Sequence, residues 1–201
     1  MAAQRDFAQA VTSLTRAVDP SRPVISNDGW EHVDSDILTI YDDTQDPERL
    51  LERYADRDTV DRTLAHGRPW RGRVRLAEQP TARRPVVLSE FGGVSWPVGH
   101  EPGAWGYASA QDGEQYLDRL AALFAVVSAC PPLAGSCYTQ LTDTATETNG
   151  LLDAWRRPKL PMQQLRAAIT GHGDAVVRSS GGVELRRPHR RPQVVTTAGQ
   201  A

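Results

Sequence analysis

The glutamate at position 90 is the side chain most suited to chemistry in this sequence, because it stands at the end of an apolar run. Residues 85–89 read Pro-Val-Val-Leu-Ser, and Phe-Gly-Gly follows the acid at 91–93. This pattern predicts a buried parallel strand. Catalytic groups of parallel α/β folds lie at the C-terminal ends of strands, and a buried carboxylate must be hydrogen-bonded, paired or functional. Glu90 is therefore a candidate catalytic residue, with a structural ion pair as the alternative.

Polar clusters follow two other predicted strands. The predicted strand 23–28 runs into an amide, two acids, an indole and an imidazole within residues 27–32, and the predicted strand 36–41 is followed by Asp42 and Asp43. Each cluster alone is typical of a polar turn. Because the C-terminal ends of parallel strands meet at one edge of a sheet, three such ends in succession favour a shared polar pocket.

The loop after Glu90 carries aromatic residues at Trp96, Trp105 and Tyr107. Aromatic faces suit the C–H faces of sugars and are costly to leave exposed. Packing of the loop onto the core explains the same residues equally well.

Composition and missing motifs exclude several classes of function. The chain has 201 residues, 23 basic and 25 acidic, with a formal net charge of −2, so a broadly basic nucleic-acid binder is excluded and no anionic membrane surface is indicated. No apolar run approaches the roughly 18 residues of a membrane span, and residues 1–10 lack a secretory signal pattern. Dinucleotide, P-loop, esterase and zinc-protease motifs are absent, and the five histidines lack metal-ligand spacing, so we expect no cofactor and no metal. We interpret Cys130 and Cys137 as buried thiols of a soluble, cytoplasmic protein.

The elements that must position these side chains alternate between helix and strand. The patterns predict helices over 4–18 and 46–66, a helix that begins at Asp112, and a short helix that ends at Gly171. They predict strands over 23–28, 36–41, 85–91 and 135–141. This order is typical of an α/β protein with a parallel sheet. Four strands are half of an eight-stranded β/α barrel, which needs about 250 residues.

Residues 172–201 differ in composition from the rest of the chain. They hold five arginines against Asp174 and Glu184. We predict a domain over 1–171 and a poorly ordered, solvated tail over 172–201, with contact to nucleic acid as the alternative interpretation of the Arg/Pro-rich stretch 186–192.

Several segments together resemble the C-terminal half of the catalytic barrel of glycoside hydrolase family 2, the β-galactosidase and β-glucuronidase group. They are Arg-Pro-Val-Ile-Ser-Asn-Asp-Gly-Trp-Glu-His at 22–32, Asp-Ile-Leu-Thr-Ile-Tyr-Asp at 36–42, Pro-Val-Val-Leu-Ser-Glu-Phe-Gly-Gly at 85–93, Gly-Ser-Cys-Tyr-Thr-Gln-Leu-Thr-Asp at 135–143, Asn-Gly-Leu-Leu at 149–152 and Arg-Arg-Pro-Lys at 156–159. The resemblance covers roughly residues 4–170 and implies a partial TIM barrel, strands five to eight with their helices.

The resemblance also implies roles for individual residues. Glu90 stands at the place of the family's catalytic nucleophile. Substrate-binding roles are implied for Asp28 and His32 in the fifth-strand loop, Tyr41 at the end of the sixth strand and Gln140 at the end of the eighth. We add Trp96 to this set for its position in the loop after Glu90.

One departure from the family pattern concerns the second carboxyl group. A retaining glycosidase needs a nucleophile and a general acid/base about 5–5.5 Å apart. The family's acid/base follows an asparagine on strand four, and this sequence has no Asn-Glu dipeptide. Glu31 is a poor substitute because it follows a different strand. We therefore expect a truncated β-glycoside hydrolase with little activity of its own, which could form a homo-oligomer or pair with a missing N-terminal half. The alternative is a non-catalytic carbohydrate-binding or assembly fragment.

Overall fold

A three-stranded parallel sheet with helices packed against it forms the centre of the fold. The computed structural model describes residues 2–69, 72–76, 84–98 and 103–171. The helices are α1 (Ala2–Val18), α2 (Pro47–Tyr54), α3 (Arg57–His66), α4 (Gly113–Ser128) and α5 (Met162–Thr170). The strands are β1 (Leu38–Asp42), β2 (Val86–Gly92), β3 (Val94–Ser95), β4 (Ala108–Ser109) and β5 (Leu133–Thr139). The sheet order is β1-β2-β5, and β3 pairs separately with β4.

The parallel register brings the C-terminal ends of the three main strands together. Tyr41 of β1 lies opposite Glu90 of β2, and Phe91 of β2 lies opposite Tyr138 of β5. The pairing of Ile40 with Leu88 followed by Tyr41 with Glu90 leaves Ser89 as an extra residue on β2. Such a bulge re-aims the side chains around it.

One hydrophobic core joins the sheet to the helices. Leu38, Ile40, Val86 and Leu88 are fully buried in it, together with side chains from α2, α3, α4 and α5. Helices α2, α3 and α4 begin with side-chain caps, since the side chains of Asp46, Asp56 and Asp112 each accept a backbone N–H of the first turn. A capped start satisfies one of the orphan donors of a helix.

The structure corrects two predicted elements. The predicted helix 46–66 is two helices, because Asp56 forms a capping box with Thr59 and starts α3. The predicted strand 23–28 is irregular. Its backbone is held instead by the turn at 33–36: Asp36 accepts the Val24 N–H at 2.7 Å, and the Ser35 hydroxyl accepts the Ser26 N–H at 2.8 Å. Three longer parallel strands are therefore found in the described residues, not four.

Helix α1 forms as predicted, but its apolar side chains are exposed. Phe7 is 72% exposed and Leu14 64% exposed, while Thr12 is buried. The helix is held by its polar side: Arg16 donates to the Asp34 carboxylate and, at 2.9 Å, to the Asp36 carboxylate. The spacing correctly predicts the helix, but the described residues leave this apolar face largely exposed.

Several smaller expectations can be compared with the structure. The last predicted strand is confirmed at Leu133–Thr139, two residues earlier than expected, and the last helix ends at Gly171 in the left-handed conformation. Cys130 is buried, but Cys137 is exposed because β5 is an outer strand of the sheet, which corrects the interpretation of both thiols as buried. The tail 172–201 lies outside the described residues. Among those described, no helix is both long and apolar enough to cross a membrane.

Candidate active site

Glu90 lies near the end of the central strand, half-buried between the two outer strands. Burial raises the pKa of its carboxyl group, and a hydrogen bond with Thr139 of β5 acts in the opposite direction. The negative charges of Glu147 and Asp28 add to the rise in pKa. Among the described residues, Glu90 forms no ion pair, and the charges that act on it come from the carboxyl groups of Glu147 and Asp28.

Asp28 and Tyr41 form a hydrogen-bonded group beside Glu90. The Tyr41 hydroxyl donates to Asp28 at 2.9 Å, and the Ser89 hydroxyl donates to its other oxygen at 2.8 Å. Burial acts to raise the pKa of Asp28, but the hydrogen bonds outweigh it and the pKa is lowered. Burial and the hydrogen bond to Asp28 raise the pKa of Tyr41 to about 12. Asp28 is thus an anion and Tyr41 a neutral phenol at ordinary pH.

A close backbone approach at Gly29 holds this group in place. Gly29 has φ +84, and a Cβ there would lie 2.4 Å from the Tyr41 ring. The Trp30 ring meets Tyr41 edge to face, with centroids 5.0 Å apart. Only glycine fits at this position, so Asp28 and Trp30 are both brought against Tyr41.

Asp43 is a carboxyl group of this site that sequence reasoning did not select. Burial raises its pKa to about 7, helped by the negative charges of Glu90, Asp42 and Glu147. Its Oδ1 is buried and has no hydrogen-bond partner in the described part of the chain. The polar residues after β1 indicate a carboxyl group at this strand end, but the sequence does not tell which of the two adjacent aspartates lies in the site.

The neighbouring Asp42 has a structural role. It is fully buried and accepts hydrogen bonds from Arg53 at 2.6 Å and from the Tyr54 hydroxyl at 2.8 Å. Both partners belong to α2, so this side chain points to the helical layer and not to Glu90.

The loop after β2 adds Tyr107 to the site and leaves Trp105 accessible. The Tyr107 N–H donates to the Gly93 carbonyl at 2.9 Å, and Gly93 has φ +74. Burial and the charges of Asp43, Glu90 and Glu147 raise the pKa of Tyr107 to about 12. Trp105 packs edge to face on Tyr107 and remains 46% exposed.

The other predicted binding residues lie in different environments. His32 is fully buried, with its ring nitrogens at 2.7 Å from the Ser35 hydroxyl and 2.8 Å from the Thr39 carbonyl, so it supports the 26–35 loop from behind. Trp96 packs on Tyr116 with ring centroids 5.5 Å apart, as the packing alternative predicts. Gln140 directly follows β5, and its Nε2 is buried without a partner among the described residues.

The acidic cluster is not arranged as a metal centre. Within residues 2–69, 72–76, 84–98 and 103–171, no group of three or more His, Cys, Asp or Glu side chains could hold a metal ion. The carboxylate of Glu31 accepts a hydrogen bond from Gln4 of α1.

Comparisons with known proteins place the fold. No protein-family model matches the chain, and no curated protein matches it. Solved structures of glycoside hydrolase family 2 do. One is a β-galacturonidase from Eisenbergiella tayi bound to galacturonate, with a TM-score of 0.54 and 14% identity over 86% of this chain and 31% of that chain. Another is the β-glucuronidase of Bifidobacterium dentium complexed with coumarin-3-O-glucuronide, with a TM-score of 0.54 and 19% identity over 85% of this chain and 28% of that chain.

A third similar structure is a β-D-glucuronidase of Dictyoglomus thermophilum, with a TM-score of 0.51 and 17% identity over 85% of this chain and 29% of that chain. At such identities the likeness concerns the fold. The chain has the mixed α/β fold, with parallel strands, of part of these family 2 structures. It spans less than a third of their length. The resemblance seen in the sequence is confirmed at that level.

Proposed function

We propose that this chain is part of the catalytic domain of a retaining β-glycoside hydrolase, with strands corresponding to the second half of a TIM barrel and with Glu90 as the nucleophile. The observation that carries the proposal is the half-buried Glu90 at the end of the central strand, among Asp28, Asp43 and Tyr107. The family 2 structures of similar fold support a carbohydrate substrate.

The proposed chemistry assigns one step to Glu90. Its carboxylate attacks the anomeric carbon and forms a glycosyl ester as the bond to the leaving oxygen breaks through an oxocarbenium-like transition state. The leaving oxygen also needs a proton. The acid that would supply it in the family pattern has no counterpart in this sequence, which has no Asn-Glu dipeptide. General acid catalysis contributes roughly 10²–10⁴-fold. We therefore propose that the isolated chain turns over ordinary glycosides slowly or not at all.

Tyr41 and Asp28 are proposed to shape the sugar site around the nucleophile. Tyr41 lies opposite Glu90 in the register, and its hydroxyl is directed to Asp28 by a 2.9 Å hydrogen bond. Trp105 is proposed to offer a ring face to the sugar, since it is the half-exposed aromatic residue next to Tyr107. Gln140 remains a proposed binding residue through its unpaired Nε2.

A glycoside with a leaving group that needs no proton tests the nucleophile without the missing acid. We would treat the chain with 2,4-dinitrophenyl 2-deoxy-2-fluoro-β-glycosides of several sugars and measure the intact mass. We expect one glycosyl adduct, mapped to Glu90, that is absent in Glu90→Gln. The matched control Glu52→Gln changes an exposed glutamate of α2 and should keep the adduct. An adduct that persists in Glu90→Gln, or no adduct with any sugar, would contradict the proposal.

A second candidate function is that of an assembly fragment, which pairs with another chain and is not itself catalytic. The exposed apolar face of α1 favours it, because Phe7, Val11, Leu14 and Val18 all lie at 46% exposure or more. An exposed apolar patch of this kind is typical of an interaction surface. Absence of the covalent adduct, together with defined self-association, would favour this second function over hydrolysis.

A further inference from the structure

The electrostatics around Glu90 carry information on the kind of sugar that the site can take. Among the described residues, the charges that act most strongly on Glu90 are Glu147 and Asp28, and those that act most strongly on Asp43 are Glu90, Asp42 and Glu147. All of these groups are carboxyls. A partly buried pocket lined by one sign of charge attracts ligands of the opposite sign and repels those of the same sign.

Lys159, the one lysine of the chain, packs against the 142–150 loop. The Lys159 Nζ lies 2.8 Å from an Asp143 carboxylate oxygen and donates to the carbonyls of Trp96 at 3.0 Å and Thr148 at 2.7 Å. Its side chain is fully buried in these contacts. Lys159 is therefore held by contacts with Asp143 and with two backbone carbonyls.

Two buried amide oxygens, on Asn149 and Gln45, lack hydrogen-bond partners in the described part of the chain. Asn149 is fully buried, and its Nδ2 donates to Glu147 at 3.1 Å while its Oδ1 has no partner in the described part of the chain. The Gln45 Oε1 is in the same condition, and Gln45 donates to the carbonyl of Gly92, two residues after Glu90. Buried acceptors without partners are satisfied by a ligand that donates.

Charge and hydrogen bonding therefore both favour a ligand that donates hydrogen bonds and carries no negative charge. A carboxylate brings negative charge and only acceptor atoms, whereas a hydroxyl can donate and an ammonium group donates three times with positive charge. Gln140 is the exception, since its Nε2 is an unpaired donor. One amide donor does not offset the carboxyl groups of Asp28, Glu90 and Glu147.

We infer that this site takes a neutral or amine-bearing sugar and discriminates against a uronic acid, with Glu147 as a residue that determines this specificity. The inference rests on the proposed function, because it describes the sugar held beside Glu90. It separates this chain from the similar structures named for galacturonic and glucuronic acids, whose fold it shares.

Matched sugars that differ in one group provide the test. We would measure binding of glucose, glucosamine and glucuronate, and of galactose, galactosamine and galacturonate, to the whole chain near neutral pH at low salt, by ligand-detected NMR titration. We expect the amino sugar of at least one series to bind at least tenfold more tightly than its uronate, with the neutral sugar between them. Added salt should reduce the ratio, because it screens the charges.

The variant Glu147→Gln isolates the proposed determinant. Glutamine keeps an oxygen to accept from Asn149 and removes one negative charge, so the ratio of the two dissociation constants should fall at least threefold. The control Glu52→Gln, on the exposed side of α2, should leave it unchanged.

The possible outcomes distinguish failure of this inference from failure of the proposed function. A uronate that binds as tightly as its amino sugar, or a ratio that Glu147→Gln does not change, overturns the inference and leaves the proposed function intact. Binding of none of the six sugars overturns the inference, and if no glycosyl adduct forms on Glu90 either, the proposed function is overturned as well.

Discussion

At the scale of single residues, the site is defined by carboxyl groups in unequal environments. Asp28 receives hydrogen bonds that lower its pKa, whereas burial and neighbouring carboxyls raise the pKa of Asp43 to about 7. Titratable groups whose environments push their pKa values apart are typical of sites that do acid–base chemistry. The difference comes from which oxygen atoms find donors: in the described part of the chain Asp28 accepts from Tyr41 and Ser89, whereas Oδ1 of Asp43 has no partner.

The raised pKa of Asp43 makes a prediction about stability and pH. The ordinary value is 3.8 and the folded value about 7, so the unfolded chain loses this proton first and the contribution of Asp43 to stability falls as pH rises across that window. Asp43→Asn removes the penalty and should stabilise the chain at pH 8 by about 1–2 kcal/mol after solvent screening, with little gain at pH 4.

Urea denaturation of both proteins at the two pH values measures this effect. Glu52→Gln serves as a control in which the difference between the pH values should match that of the unaltered chain. An Asp43→Asn variant that is no more stable at pH 8 than at pH 4, relative to the unaltered chain, would show that the carboxyl is not destabilised by its surroundings.

Gly93 makes a second prediction at this scale. It has φ +74, and a Cβ there would lie 2.1 Å from the Tyr107 ring. Gly93→Ala should cost about 1–3 kcal/mol of unfolding free energy and displace Tyr107 from the site. Gly135 of β5 is a matched control, since a Cβ there meets nothing within 4 Å. Equal losses of stability for the two alanine variants in urea titrations would contradict the role given to Gly93.

At the scale of elements, α1 differs from the other helices in what its apolar residues contact. The buried residues of α2, α3, α4 and α5 belong to one core with the sheet, whereas α1 is attached through Arg16 and its partners Asp34 and Asp36. Half-exposed ion pairs of this kind contribute little stability. The helix pattern of α1 is satisfied locally, but its burial depends on a surface that the described residues do not supply.

The exposed face of α1 leads to a prediction about association. Phe7 and Leu14 are 72% and 64% exposed, so the double variant Phe7→Ser/Leu14→Ser should change the unfolding free energy of the chain by no more than about 0.5 kcal/mol. It should also reduce self-association, which we expect for the unaltered chain at high concentration.

Light scattering after size-exclusion chromatography measures the association, and urea titration measures the stability. Replacing Gln9 and Ser13, which are exposed polar residues of the same helix, by alanine provides a control. A double serine variant that loses several kcal/mol, with unchanged mass in solution, would mean that the apolar face is buried within the chain itself.

At the scale of the whole molecule, the described part of the chain is an open sheet of three main strands. β1 and β5 are its outer strands, and the chain spans less than a third of the length of the structures that share its fold. An open edge presents unpaired backbone groups and invites pairing with another strand. The Glu90 site lies at the C-terminal ends of these strands.

Part of this arrangement was predictable from the sequence, for identifiable reasons. The strand 85–91, the start of α4 at Asp112 and the end of α5 at Gly171 depend on local patterns of apolar spacing and capping, and all three are confirmed. The break between α2 and α3 and the loss of the strand at 23–28 were not predicted. In both places side-chain hydrogen bonds, from Asp56 and from Asp36, satisfy the backbone instead of the expected element.

The candidate site divides in the same way. The position of Glu90 follows from the sequence, since an acid at the end of an apolar strand is visible in one dimension. Which side chains surround Glu90 does not follow from the sequence. Successive side chains of a strand point to opposite faces, so Asp43 lies near Glu90 while Asp42 pairs with Arg53. His32 is fully buried, although it lies only four residues from Asp28 in the sequence. Such choices depend on register and on the bulge at Ser89, which contacts between distant segments decide.

The sequence alone therefore determined the order of most elements, the charged strand end and the family whose fold this chain shares. Tertiary structure alone decided which carboxyl groups face one another, which of them keep a proton near neutral pH, and that Lys159 is committed to Asp143. The physical reason is the distance along the chain over which each kind of interaction acts. Helix caps and apolar periodicity act over a few residues, whereas burial and charge act through space between segments that the sequence places far apart.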